Sequence, residues 1–256
     1  MAKKRFQFTR MNRKTKKIEN AGFATIRNTA DGADLHFYGD IVSTTWEAWS
    51  DEDKCPQDIA DFLNQLPDNG TLTVYFNSGG GDVFAGIAIY NALKGRSQKK
   101  VGVVEGLAAS IASVILMACD EIYVNTGAQI MMHKPLCMAW GNADDFLKVI
   151  EQLDMCQQSI TDIYMTKVAE GVTEEEIEEK INRETWLNAE MAAEVFDIGV
   201  KEVPAMAACA SWYSWQYKNR PEGYEEISLE ELTAKDLEQQ AEKKKELMNR
   251  LFMYGI

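Results

Sequence analysis

Two segments of this chain hold residue types that can do nucleophilic chemistry. The first, "GLAASIASVILMACD" (residues 106–120), places Ser110 among small residues directly before an apolar run. Small neighbours let a chain turn sharply and let a substrate approach, and a helix that starts there would turn free N–H groups toward the hydroxyl. The second, "AQIMMHKP", ends an apolar strand in His133 and then in Lys134-Pro135, which breaks the strand. A serine hydroxyl is almost never ionised, so as a nucleophile it needs a base near neutral pKa. The chain has two histidines. His36 lies between Leu35 and Phe37 within a strand pattern and reads as structural, which leaves His133 as the stronger base. Against this stands a plainer reading of Ser110 as a helix N-cap or a packing serine.

A third segment, "NSGGGD" (residues 77–82), follows a strand pattern and precedes a helix pattern. Glycines there allow positive φ and bare N–H groups. The lysine of a phosphate loop and the GxGxxG spacing of a dinucleotide fingerprint are both missing. What remains is a tight turn or an oxyanion hole, in which N–H donors stabilise a developing negative charge.

These segments need a scaffold of alternating strands and helices. "DLHFYGDIVS" (34–43), "TLTVYF" (71–76), "VGVVEG" (101–106), "EIYVN" (121–125) and "AQIMMHK" (128–134) read as strands. "VFAGIAIYNALKG" reads as a helix closed by Gly95, and the segment after Ser110 as another. That alternation implies βαβ units and a largely parallel sheet. From Asn142 to Val168, apolar residues recur at three, four or seven and predict a long amphipathic helix. "TEEEIEEKI" and "NAEMAAEVF" predict two more. Beyond Pro204 the chain is irregular and aromatic, until Ser228 and Glu231 form a capping box for a last charged helix. The division expected is a basic arm (1–20), a catalytic domain (21–205) and a C-terminal appendage (206–256).

Composition narrows the classes. At 256 residues, 46% hydrophobic and 26% charged, the chain can bury a full core. The apolar run Ile111–Cys119 is far short of the twenty or so residues of a membrane span. The N-terminus lacks a signal-peptide core, so a cytoplasmic location is expected. Five scattered cysteines without a CxxC pair predict unpaired thiols and no zinc site. Residues 1–18 hold eight basic side chains and no acid, against 40 acidic residues in the rest. Nucleic-acid contact, if any, would fall to that arm. Its low apolar periodicity predicts a mobile, protease-sensitive segment.

Taken in order, "FNSGGGDVFAGIAIYNALK", "GLAASIASVILMA", "AQIMMHKP" and "ETWLNAEMAAE" resemble the sequence blocks of the ClpP family of serine peptidases, over roughly residues 25–203. The spelling of the last block looks most like the ClpP-like head-maturation proteases of tailed bacteriophages. The resemblance implies a spiral of βαβ units shared with crotonases, a long handle helix through which rings meet, and no metal or organic cofactor. It implies Ser110 as nucleophile, His133 as base and Glu184 as third triad member, where cellular relatives carry aspartate. It implies Gly81 and Ile111 as oxyanion-hole donors, Gly80 as a shaper of that loop, and Trp140-Gly141 within the segment that pairs with substrate. The partners implied are copies of the chain in rings of six or seven subunits, with phage scaffold and capsid proteins as substrates. Asp162 and Asp197 are distant substitutes for Glu184. Gly79 replaces the family's usual proline, and "EVFDIGVKEV" departs from its spacing. Three alternatives share parts of this pattern: a cellular Clp subunit fed by an AAA+ unfoldase, a crotonase-type acyl-CoA enzyme, and a non-catalytic capsid assembly protein.

Overall fold

The computed structural model describes residues 4–11, 18–26, 32–44, 53–66 and 69–201. The chain divides into two units, Met1–Asn219 and Arg220–Ile256, and every described residue belongs to the first. The appendage expected at 206–256, with its capping box, lies outside the described residues.

The chain opens on strands β1 (Lys4–Met11) and β2 (Ile18–Ile26), which pair antiparallel. The sequence reading assigned no strand to this basic segment, and the boundary expected after residue 20 falls inside β2. Charge dominates the composition there, but Phe6 and Phe8 alternate with polar residues at the period of a strand. β2 pairs antiparallel with β3 (Ala33–Phe37), and from β3 onward the main sheet is parallel.

Helix α1 (Pro56–Leu63) went unread in the sequence, although proline at its start and the Asp58 carboxylate accepting from the Cys55 N–H are ordinary start signals. β4 (Thr71–Ser78) alternates strictly, with Leu72, Val74, Phe76 and Ser78 buried and the residues between them half-buried. Asp82 caps α2 (Val83–Lys94) by accepting from the Ala85 N–H at 2.7 Å. Ala85, Ile89 and Leu93 form the stripe that packs down onto the core.

β5 (Lys99–Ala109) runs well beyond the six residues expected, and it changes partner along its length. Val101–Val104 pair with β6 (Glu121–Asn125), whereas Leu107–Ala109 pair with β7 (Gln129–Met132), both in parallel. A register shift against β4 accompanies the change: Phe76 pairs with Val104 and Ser78 with Ala108, so the extra residues lie in β5. The sheet therefore turns at this point, and the C-terminal ends of β5 and β7 come to lie side by side. Between β5 and β6 runs α3 (Ile111–Leu116), whose residues are all buried.

After β7 come α4 (Ala143–Met165), α5 (Glu174–Asn182), β8 (Thr185–Asn188), α6 (Ala189–Val195) and β9 (Gly199–Lys201). β8 pairs antiparallel with β7, and β9 joins β6 at the parallel edge. Only the C-terminal end of α4 is buried, through Ile160, Thr161 and Tyr164. Toward its N-terminal end, Phe146 and Ile150 of the apolar stripe are exposed, with Leu147 beside them, while Val149 and Leu153 are half-buried. Cys55, Cys119, Cys137 and Cys156 carry free thiols. Among the described residues no helix is long and apolar enough to cross a membrane.

Candidate active site

The glycine loop is built from its backbone outward. Buried Ser78 donates to the Gly39 carbonyl at 2.5 Å and accepts from the Gly80 N–H at 3.2 Å, which fixes where β4 ends and the loop begins. The Ile41 N–H then bonds to the Gly80 carbonyl, and the Asp82 N–H to the Ile41 carbonyl, each at 2.8 Å. In a ladder of this form the residue between, Gly81, turns its own N–H away from Ile41. Gly80 and Gly81 have φ of 97° and 149°, a region that disfavours side chains. A Cβ at Gly80 would stand 2.8 Å from Ser110 Cβ and 3.2 Å from the Ile111 nitrogen. The loop thus lies directly against the start of α3.

Ser110 occupies the N-cap position of α3 without acting as a cap, since its side chain makes no capping bond. Its φ of 54° and ψ of −130° are outside the ordinary regions, a conformation that costs about 1–3 kcal/mol and persists only where the surroundings hold it. One such constraint is the Ser110 N–H, which donates to the Met131 carbonyl at 2.9 Å. The hydroxyl points instead to His133, with Oγ 2.7 Å from Nε2. The plainer reading of Ser110 as cap or filler does not fit this geometry.

His133 follows β7 immediately. The pairing of Met132 with Thr185 ends the β7–β8 ladder, and one further step of that register sets Glu184 opposite His133. Burial holds the imidazole below the ordinary histidine pKa, and the charge of Glu184 opposes that shift. Glu184 itself has φ of 52°. Asp162 lies on the surface of α4, where Gln158 donates to it, and Asp197 is exposed, so neither takes Glu184's place beside the imidazole.

Trp140 and Gly141 lie at the end of the β7–α4 loop farthest from His133. Trp140 is 90% exposed, and Gly141 packs against Asp145 in the first turn of α4. His36 stacks on Tyr75 at 4.7 Å, in keeping with a structural role. Behind Ser110, Ser113 Oγ and Tyr164 OH meet at 2.7 Å in full burial, a pair that no motif singled out. No group of three or more metal-binding side chains comes together among the described residues.

A hydroxyl hydrogen-bonded to a half-buried imidazole, beside a glycine loop with an outward N–H, is the working geometry of a serine hydrolase. The model of the Clp protease family matches residues 52–198, more than half of the chain. The ATP-dependent Clp protease proteolytic subunit 2 of Tropheryma whipplei (strain Twist) is 29% identical over 154 residues, covering 58% of this chain and 84% of that protein. Proteolytic subunit 3 of Rhodococcus jostii (strain RHA1) is 33% identical over 125 residues, 47% of this chain and 60% of the relative. The proteolytic subunit of Chlorella vulgaris is 30% identical over 135 residues, 52% and 66%. The chain belongs to the Clp protease family: its α/β fold is of the ClpP type, and it is a serine-type endopeptidase.

Proposed function

We propose that the chain cleaves peptide bonds through an acyl-enzyme formed on Ser110, inside a ring-shaped homo-oligomer. The observation that carries this is the 2.7 Å contact between Ser110 Oγ and His133 Nε2, made by a serine that forgoes its capping bond. In the first step Ser110 Oγ attacks the substrate carbonyl while His133 Nε2 takes the hydroxyl proton. Glu184 stabilises the imidazolium that forms and favours the tautomer with the proton on Nδ1. The N–H groups of Gly81 and Ile111 receive the oxyanion, the former turned outward by the Ile41 ladder and the latter free as the first of a helix. The protonated His133 then gives its proton to the departing amine, and a water repeats the sequence to release the acyl group.

Assembly follows from α4. Exposed Phe146, Leu147 and Ile150 form an apolar patch that a second copy of the helix would cover. In the loop before α4, Met138 and Trp140 are exposed at 85% and 90% and would flank an extended substrate.

For the natural substrates we favour scaffold and capsid proteins of a tailed phage, cleaved in the host cytoplasm or within the prohead. The spelling "ETWLNAEMAAE", with glutamate in the third triad position, supports this. A second reading, a cellular Clp subunit served by an AAA+ unfoldase, is favoured by the names of the relatives. Neither an acyl-CoA enzyme nor a non-catalytic assembly protein has a use for the Ser110–His133 pair.

Co-expression with candidate head proteins tests the substrate assignment. Cleavage without nucleotide, abolished in Ser110→Ala, is the expected result. Cleavage that requires an ATP-driven unfoldase would move the protein to the second reading, and equal cleavage by Ser110→Ala would remove the serine mechanism.

A further inference from the structure

The buried hydroxyl pair behind the site has a directed geometry. Ser113 Oγ lies 2.6 Å from the Ser110 carbonyl oxygen, 3.1 Å from the Met131 carbonyl oxygen and 2.7 Å from Tyr164 OH. A serine hydroxyl has one proton, and carbonyl oxygens can only accept. At 2.6 Å the Ser113 proton must lie toward the Ser110 carbonyl, since two bare oxygens would repel at that distance. Tyr164 is therefore the donor to Ser113. Burial raises the phenol's pKa, which keeps it protonated and able to donate.

The Ser110 carbonyl also accepts the Ser113 N–H at 3.0 Å, so one residue grips it twice. That carbonyl and the Ile111 N–H belong to one planar trans peptide unit and point in opposite directions. Fixing the oxygen end fixes the N–H end. The grip acts on the peptide that follows Ser110, whose own dihedrals are strained. The Met131 carbonyl, within reach of Ser113, also receives the Ser110 N–H, so the same hydroxyl borders both constraints on the nucleophile.

We propose that Ser113 and Tyr164 are positioning residues of the peptidase, in which Tyr164 of α4 donates to Ser113 and Ser113 aims the Ile111 N–H at the oxyanion. This rests on the reading of Ile111 as an oxyanion donor given above. Neither residue touches the substrate. Their effect reaches the reaction through one peptide plane, and it appears in the transition state, where the oxyanion forms, more than in substrate binding.

The test uses the full chain in its assembled form, with Tyr164→Phe, Ser113→Ala and the double variant. Steady-state cleavage of a fluorogenic peptide is compared with inhibition by a peptide boronic acid, whose tetrahedral serine adduct carries the oxyanion. Tyr164→Phe should lower kcat about 3- to 10-fold and Ser113→Ala about 10- to 100-fold, each with KM little changed. Because Tyr164 acts through Ser113, the double variant should match Ser113→Ala alone. Boronate affinity should fall with kcat. Should Ser113→Ala fail to fold, Tyr164→Phe, which removes only an oxygen, carries the test with Ser113→Cys, a weaker donor of similar size. Unchanged kcat in Tyr164→Phe, multiplicative effects in the double variant, or boronate affinity that does not follow kcat would overturn the proposal while leaving Ser110 as nucleophile. Wild-type cleavage that survives Ser110→Ala would instead remove the underlying reading, and this proposal with it.

Discussion

Ser110 and Glu184 share a backbone feature: among the described non-glycine residues, they are the two with positive φ, at 54° and 52°. They belong to different elements, and both border His133. Strain of this kind collects where geometry is held for function. Glu184→Gly should therefore relieve strain and stabilise the fold by about 1 kcal/mol. The same change should lower kcat/KM on the order of 10²- to 10⁴-fold through loss of the carboxylate. Thermal unfolding and peptide cleavage measured on one preparation check both. A variant that is less stable and fully active would contradict both.

The pH dependence has a definite sign. His133 works as base only when neutral, and burial holds its pKa below the ordinary value of about 6.5. The acid limb of kcat/KM should therefore fall below that pH. Glu184→Gln removes a charge that raises the imidazole's pKa, so the limb should move further toward acid while the plateau drops. Stability follows the same linkage. The unfolded chain takes up the proton first, so stability is fully present above about 6.5 and is lost as pH falls through the folded pKa. A limb at or above the ordinary histidine value, or one that moves upward in Glu184→Gln, would contradict the assignment.

The two loop glycines should respond differently to alanine. At Gly81 the new Cβ would stand 2.0 Å from the Ile41 carbonyl oxygen, a backbone atom that cannot step aside. Gly81→Ala should cost on the order of 2–4 kcal/mol, read by urea unfolding. At Gly80 the nearest atoms are the Ala109 carbonyl oxygen at 2.7 Å and Ser110 Cβ at 2.8 Å, so part of the strain falls on the nucleophile. Gly80→Ala should lose a larger share of its activity than of its stability. Equal and small effects at both positions would show that the loop is not held as described.

The exposed stripe of α4 carries the assembly claim. Phe146 and Ile150 lie one turn apart, at 46% and 53% exposure, so glutamate at either costs the isolated subunit little, within about 0.5 kcal/mol. In a ring assembly the same change buries a charge against apolar surface. Sedimentation velocity should show Phe146→Glu and Ile150→Glu shifted to smaller species than wild type. No change in mass would place the contact elsewhere.

Local chemistry was legible in the sequence, and long-range pairing was not. β4, the glycine loop and α2 could be read because alternation, glycines and an Asp cap occur in order within one short stretch. Ser110 and His133 could be nominated by type and flanking pattern, but their approach depends on β5 exchanging β6 for β7, a choice no local window records. β8 went unread because its four residues gain their strand character only from β7. β1 went unread because the positive charges around it mask an alternation of two phenylalanines. Ser113 and Tyr164 stand 51 positions apart, and nothing in the block around Ser110 singles out Ser113.

The most direct measurement is to treat the assembled protein with a fluorophosphonate probe and map the modified residue by mass spectrometry. The expected result is a single adduct on Ser110, absent in Ser110→Ala and slowed in His133→Ala. A confirmed oligomer that takes up no probe at Ser110, or labels equally well without His133, would contradict the claim that these two residues form a working nucleophile and base.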